Sequence, residues 1–275
     1  MGEEQVLGVT KVVNLLFGKA AFALLTLVHY KPESTEYPIT NSFSMELLVV
    51  LIMVLFFLWL RPRLRADRPG GTQQALEFVI TNPMGIGIKD LVDDIVGHGA
   101  EHHIPVVATI GIFILFSNMI SLIPGIASPT ATITVTLGLA TIVFLYYNAT
   151  GIGKHGGLHY AKTLLGPMPK LFPINLIMLI VETVSHFARV LSLSVRLWAN
   201  MMVSELLYVS FLALSLGVFE FATLHWSAAG YVTGVVPVGI PIILALLHVF
   251  VAFLQAFIFS ILAIVYLGLA SAEEH

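Results

Sequence analysis

The chain has 275 residues, of which 57% are hydrophobic and 11% charged, and its 18 phenylalanines set it well apart from soluble domains. The net charge of −3 points to no partner, and the absence of cysteine excludes a disulfide framework, a thiolate metal site and a cysteine nucleophile. About five spans of roughly 20 residues use most of this length, so no soluble catalytic domain fits in the remainder.

Residues 1–42 read as an N-terminal segment on the outer side. Within it Val12 to Val28 is apolar but short, carries Lys19 in its middle, and has no small-residue cleavage pattern before "HYKPESTEYP". That pattern suits an interfacial helix better than a signal peptide or a span. Residues 43–275 read as a single membrane domain with spans at about 43–60, 104–123, 130–147, 171–222 and 232–270. The stretch "TQQALEFVITNPMGIGIKDLVDDIVGHG" mixes apolar residues with Glu77, Lys89, Asp90, Asp93 and Asp94 and is broken by Pro83. It predicts an amphipathic surface element rather than a span.

The last two runs are too long for a perpendicular crossing. Between Pro173 and Gly217 there is neither proline nor glycine, so about 43 residues can continue as one helix of about 65 Å, roughly twice the hydrocarbon thickness. The predicted fold is therefore an all-α integral membrane protein. It has about five transmembrane helices plus an amphipathic surface helix, and the last two long helices are strongly tilted and antiparallel.

Basic residues set the orientation. "RPRLRADR" carries Arg61, Arg63, Arg65 and Arg68, and "GIGKHGGLHYAKTLLGPMPK" carries Lys154, Lys162 and Lys170, which predicts that both loops face the cytoplasm. "SLIPGIASP" and a loop from Gly217 to Val236 then lie outside, and the "SAEEH" tail inside.

The charges within the long apolar run need a reason, because an arginine at the bilayer centre costs about 2.5 to 3.5 kcal/mol on insertion scales. With Arg196 as the zero of a helical wheel, Glu182, Arg189, Asn200 and His186 fall within about 80° of it and form one polar stripe, whereas Glu205 lies about 180° away. Glu182 lies about 21 Å from Arg196 toward one end and Glu205 about 13 Å toward the other. In the last run His248 and Gln255 stand seven residues apart on one face. An antiparallel partner helix brings His248 to the level of Glu205 and Gln255 to that of Arg196. Polar groups at such depth mark ion pathways or proton relays, although a structural seam, with Glu182 neutralising Arg189 and Gln255 satisfying Arg196, is the plainer alternative.

The segment "LSLSVRLWANMMVSELL" resembles subunit a of the rotary F-type ATP synthase, whose signature has an arginine, an asparagine four residues on and, in bacterial forms, a glutamate nine residues on. Here these are Arg196, Asn200 and Glu205. The ending "LLHVFVAFLQAFIFSILAIVYLGLASAEEH", with His248 and Gln255, is similar to that family's last helix, and Glu182, "ALEFV" and "NMISLIPG" also fit its pattern. The resemblance runs from about Phe43 to the C-terminus. It implies a non-catalytic proton-channel subunit in a bacterial inner membrane, forming two offset half-channels that couple proton flow to rotation of a c ring. The implied partners are the c-subunit ring with its essential carboxylates, the b-subunit stator and the rest of the synthase, with no cofactor, no metal and no nucleic acid. Glu205 and His248 are expected on the outer path, Glu182, Asn200 and His186 on the inner path, and Arg196 with Gln255 between them. The sequence departs from some bacterial members at Ser121, where they carry an acid.

Two other classes fit less well. A secondary transporter with a midplane substrate site predicts an internal repeat and paired Gly or Pro interruptions, and the sequence has neither. A membrane-embedded hydrolase needs a polar cluster on several helices, whereas the charges here concentrate on two. The motif "GHGAEHH" reads as a solvated helix end rather than a metal site, and no phosphate loop is present.

Overall fold

The structure is a computed structural model, and it describes residues 8–27, 37–65, 69–81, 87–97, 100–123, 126–157, 160, 174–224 and 228–271. Among these residues the secondary structure is helical, with no strand. The helices are α1 (Gly8–Leu27), α2 (Asn41–Leu60), α3 (Gly71–Ile80), α4 (Ile88–Ile95), α5 (Ile104–Met119), α6 (Ile133–His155), α7 (Ile174–Leu224) and α8 (Ala228–Ser271). Short 3-10 turns at Arg61–Arg63, Ala100–His103, Ile120–Leu122 and Pro129–Ala131 flank α2, α5 and α6. Five helical stretches among the described residues are long and apolar enough to cross a membrane: Asn41–Arg63, Ala100–Leu122, Ile133–His155, Leu176–Val218 and Gly239–Ser271.

Local chemistry explains the boundaries. Thr40 caps α2 by accepting from the Phe43 N–H at 3.4 Å, and Pro62 follows the helix end. α4 and α6 are each followed closely by a glycine with positive φ, Gly97 at 107° and Gly156 at 80°, a conformation that side chains rarely adopt. The surface stretch resolves into two short helices. In α4, Ile88 and Val92 are buried on one face and Asp94 is exposed on the other.

Three expectations need correction. The loop expected from Gly217 to Val236 is largely helical, because α7 runs 51 residues to Leu224 and α8 begins at Ala228. One glycine costs a helix only about 1 kcal/mol, and α8 also runs through Pro237 and Pro241, as spanning helices tolerate. The third span continues past Tyr147 to His155, so Lys154 lies on its last turn, where its Nζ donates to the Ser271 carbonyl at 2.9 Å. The "GHGAEHH" motif is not wholly solvated: His103 is buried and its Nδ1 lies 2.7 Å from the Tyr146 hydroxyl, while exposed Glu101 pairs with Lys89 at 3.4 Å. Arg68, Lys162, Lys170 and the tail from Ala272 lie outside the described residues.

The chain folds as two compact units. The first comprises 1–61, 113–132 and 200–253, and its buried residues include Met45 and Val49 of α2, Ile114 of α5, Met201 of α7 and Ala252 of α8. In it Asn14 of α1 clasps the backbone of Ile39, donating to its carbonyl at 3.0 Å and accepting from its N–H at 2.9 Å. The second comprises 62–112, 133–199 and 254–275, and buries Val92, Val107, Val143, Tyr147, Leu197, Phe259, Ile264 and Leu267. There Gly268 of α8 meets α4 so closely that a Cβ would stand 2.7 Å from Ile95 Cγ2 and 2.8 Å from its carbonyl oxygen. In the second unit Arg189 of α7 meets Tyr266 of α8, and in the first Ser204 of α7 meets His248 of α8.

Candidate functional site

The first unit holds a buried polar network built by α5, the turn after it, α7 and α8. A serine or asparagine at helix depth must find partners because no water competes there. His248 of α8, 1% exposed, uses both ring nitrogens: Nδ1 lies 3.0 Å from Ser204 Oγ, and Nε2 lies 3.0 Å from Ser121 Oγ and 3.2 Å from the Asn118 carbonyl oxygen. Ser121 donates its own hydroxyl to the Asn118 carbonyl at 2.9 Å. The Asn118 side chain accepts from Thr130 Oγ1 at 2.5 Å and donates to the Ala252 carbonyl at 3.4 Å. Thr130 Oγ1 is 2.6 Å from Ser128 Oγ, which also donates to the Ser117 carbonyl at 2.8 Å.

Glu205 joins this network at the turn. Its Oε2 accepts the Ser128 backbone N–H at 3.3 Å. Glu205 and His248 make no direct hydrogen bond among the described contacts. They are linked through Ser128, Thr130 and Asn118. The Tyr208 hydroxyl donates to the Leu122 carbonyl at 3.3 Å, and its ring lies 6.3 Å from that of His248. Ser117 Oγ is buried without a partner, leaving one hydroxyl of the network unsatisfied.

The second unit holds another polar cluster. Glu182 of α7 contacts His186 at 3.5 Å and Arg189 at 3.3 Å, one and two turns along its own helix. His186 Nδ1 lies 3.1 Å from the Tyr147 hydroxyl of α6, and the Arg189 guanidinium lies 5.8 Å from the centre of the Tyr266 ring of α8. Beside them the Tyr160 hydroxyl donates to Asn148 Oδ1 at 3.0 Å, and burial pushes this phenol above its ordinary range, so it stays protonated. Higher on the same unit, Thr136 of α6 and Ser194 of α7 share a hydrogen bond of 3.1 Å.

Arg196 belongs to neither cluster. It is exposed, and among the described residues it makes no hydrogen bond or ion pair. Gln255 is 3% exposed in α8 and does not hydrogen-bond Arg196. Asn200, one turn beyond Arg196 on α7, is also exposed and makes no side-chain hydrogen bond among the described residues. Along α7 the order is therefore Glu182, His186 and Arg189 in one cluster, then an unpaired Arg196, then Ser204 and Glu205 in the other network.

Sequence reading singled out Glu182, His186, Glu205 and His248 but passed over the groups that connect them. Ser204, Ser128 and Thr130 are small hydroxyl residues with no distinctive spacing. Tyr147 and Tyr266 read as ordinary apolar positions in spanning runs. Asn118 and Ser121 stand in the quoted "NMISLIPG" segment, yet nothing in that segment indicates that they face a histidine 130 and 127 residues away.

The family model described as the ATP synthase A chain matches residues 43–268. ATP synthase subunit a of Solibacter usitatus is 39% identical over 256 residues, covering 93% of this chain and 97% of that one. The protein of the same name from Koribacter versatilis is 34% identical over 266 residues, covering 97% of each chain. ATP synthase subunit a 3 of Pelobacter propionicus is 34% identical over 229 residues, covering 83% of this chain and 86% of that one.

Proposed function

The chain belongs to the ATP synthase A chain family, and from that premise we propose that its two polar networks are the two half-channels of a proton path, with Arg196 as the fixed charge between them. As a member of that family it is a multi-pass, non-catalytic membrane subunit that serves proton transport in an ATP synthase complex.

The observation that carries the finer reading is the unpaired state of Arg196. A guanidinium in a spanning helix that has no partner among the described residues suits a carboxylate brought from outside the chain. A c ring, each subunit of which brings one membrane carboxyl group, supplies it. Each deprotonated carboxylate is attracted to Arg196 as the ring turns. Because a guanidinium does not release its proton, Arg196 holds the carboxylate without passing a proton between the two networks. Glu205 and His248 load the ring carboxylate on one path, and Glu182 with His186 receives its proton on the other. Ion flow is then forced through nearly a full turn of the ring.

The pairing of Glu182 with Arg189 does not compete with this role. It leaves the carboxylate one oxygen on which a proton can reside. In the proposed orientation the basic loops and the C-terminus face the cytoplasm of a bacterium, residues 1–42 form an outer-side segment, and a b-subunit stator holds the chain against rotation. Among the described residues no structural feature favours the alternative of a transporter with a midplane substrate site.

The test uses single cysteines at Val195 and Met202, both exposed and flanking Arg196 on α7. The chain has no native cysteine to interfere. In membranes containing the whole complex, cross-linking at both sites is expected to yield an adduct with the ring subunit. Adducts with the stator alone contradict the assignment of this face to the ring.

A further inference from the structure

We propose that Ser204 is the positioning residue that lets His248 gain and lose a proton at Nδ1 while remaining hydrogen-bonded in both states. The proposal rests on the proton-path reading above and deepens it.

The hydrogen-bond inventory around His248 is asymmetric. Nε2 faces Ser121 Oγ at 3.0 Å and the Asn118 carbonyl oxygen at 3.2 Å. A carbonyl oxygen only accepts, and the Ser121 hydroxyl proton is already directed to that same carbonyl at 2.9 Å. Both neighbours therefore present lone pairs, and Nε2 keeps its hydrogen whether the ring is neutral or charged. Proton exchange is confined to Nδ1.

Among the described residues the sole group bonded at Nδ1 is Ser204 Oγ, at 3.0 Å. Ser204 has a second acceptor in reach, the Met201 carbonyl of its own helix at 3.3 Å. When the ring is neutral, the hydroxyl donates to Nδ1. When Nδ1 carries a proton, the hydroxyl turns, donates to the Met201 carbonyl and accepts from Nδ1–H. Turning about the Cβ–Oγ bond exchanges donor for acceptor, and no backbone moves. The proton reaches Nδ1 through this hydroxyl, which passes its own hydrogen to Nδ1 as it takes one from a water of the proton path, and leaves by the reverse transfer, so the ring charge changes by one and the Ser204–His248 hydrogen bond is kept in both states.

The groups packed against His248 leave this task to Ser204. Among the described residues α5 contributes Asn118 and the turn after it Ser121, neither of which titrates, and α7 contributes Ser204 and Tyr208, whose hydroxyl is committed to the Leu122 carbonyl. Glu205 follows Ser204 in α7 and is held by Ser128 rather than by the histidine. With the ring 1% exposed, a charged imidazole lacking Ser204 has a buried N–H with no acceptor.

The experiment compares Ser204→Ala, Ser204→Thr and Ser204→Cys in the whole synthase in inverted membrane vesicles. ATP-driven proton pumping is measured from about pH 6 to about pH 9, a window set by the range in which histidine titrates, and is normalised to the assembled complex. Ser204→Ala is expected to reduce pumping about tenfold, the scale of an unpaired buried donor, with the loss deepest at the alkaline end, where a proton is hardest to place on the ring. Ser204→Thr, which keeps the hydroxyl, stays within about twofold of wild type, and Ser204→Cys falls between. Wild-type pumping by Ser204→Ala at every pH overturns the proposal, as does an equal loss in Ala and Thr with an unchanged pH profile, which marks a packing defect. Glu205→Gln in the same vesicles separates this proposal from the reading beneath it. If Glu205→Gln is impaired and Ser204→Ala is normal, only the serine proposal fails; if both pump normally, the proton-path reading of this network fails.

Discussion

Ser128, on the turn between α5 and α6, donates its backbone N–H to Oε2 of Glu205 on α7 at 3.3 Å, so a turn rather than a neighbouring helix holds this carboxylate. The turn is itself fixed by the Ser128 hydroxyl, which reaches the Ser117 carbonyl at 2.8 Å and Thr130 at 2.6 Å. A backbone donor cannot titrate. It steadies the carboxylate without competing for the proton.

Ser128→Pro removes that N–H, whereas Ser128→Ala keeps it and deletes only the hydroxyl contacts. Proton pumping is expected to fall more in Ser128→Pro than in Ser128→Ala. Ser128→Ala mainly lowers stability, by about 1 kcal/mol for its lost hydrogen bonds. Pumping rates and thermal unfolding of the purified complex check the two effects separately, and equal pumping in both variants contradicts a role for the backbone donor.

Among the described residues Glu182 and Arg189 form the one arginine–carboxylate pair on α7, at 3.3 Å. Removing the cation alone leaves a half-buried carboxylate paired with His186. Arg189→Gln is therefore expected to lower the amount of assembled complex, and the Glu182→Gln/Arg189→Gln double variant to recover part of it. A double-mutant cycle on complex yield measures this coupling, and strictly additive losses contradict the pair.

Gly268 lies where α8 passes over the end of α4, and an added Cβ would meet Ile95 backbone as well as side chain. Backbone cannot rotate away as a side-chain tip does. Gly268→Ala is expected to destabilise the chain by about 1 to 3 kcal/mol, while Gly138→Ala, with open space around it, is near neutral. Thermal unfolding of the two variants in the same detergent compares them directly.

The spans and the unusual length of α7 were legible because hydropathy and the absence of breakers act locally. The far end of α7 was not: Gly217 read as a stop, yet one glycine carries too small a penalty to end a helix whose neighbours favour continuing. Charged site residues were legible for the opposite reason, since Glu182, Arg196, Glu205 and His248 are costly where they stand. The connecting hydroxyls of Ser128, Thr130 and Ser204 cost little in any helix or turn, so only their three-dimensional neighbours reveal them. The expected meeting of Gln255 with Arg196 rested on axial offsets alone, and no direct hydrogen bond joins the two side chains.

The central claim is that Arg196 is the fixed positive charge separating two proton paths, available to a carboxylate from a partner because it has no ion pair or hydrogen bond among the described residues. Its most direct measurement is proton-driven ATP synthesis in membranes carrying Arg196→Ala, with the quantity of assembled complex determined in the same preparation. The account predicts normal assembly with synthesis abolished, because the remaining arginine of α7, Arg189, is already engaged by Glu182. Synthesis at the wild-type rate by an assembled Arg196→Ala complex would contradict it.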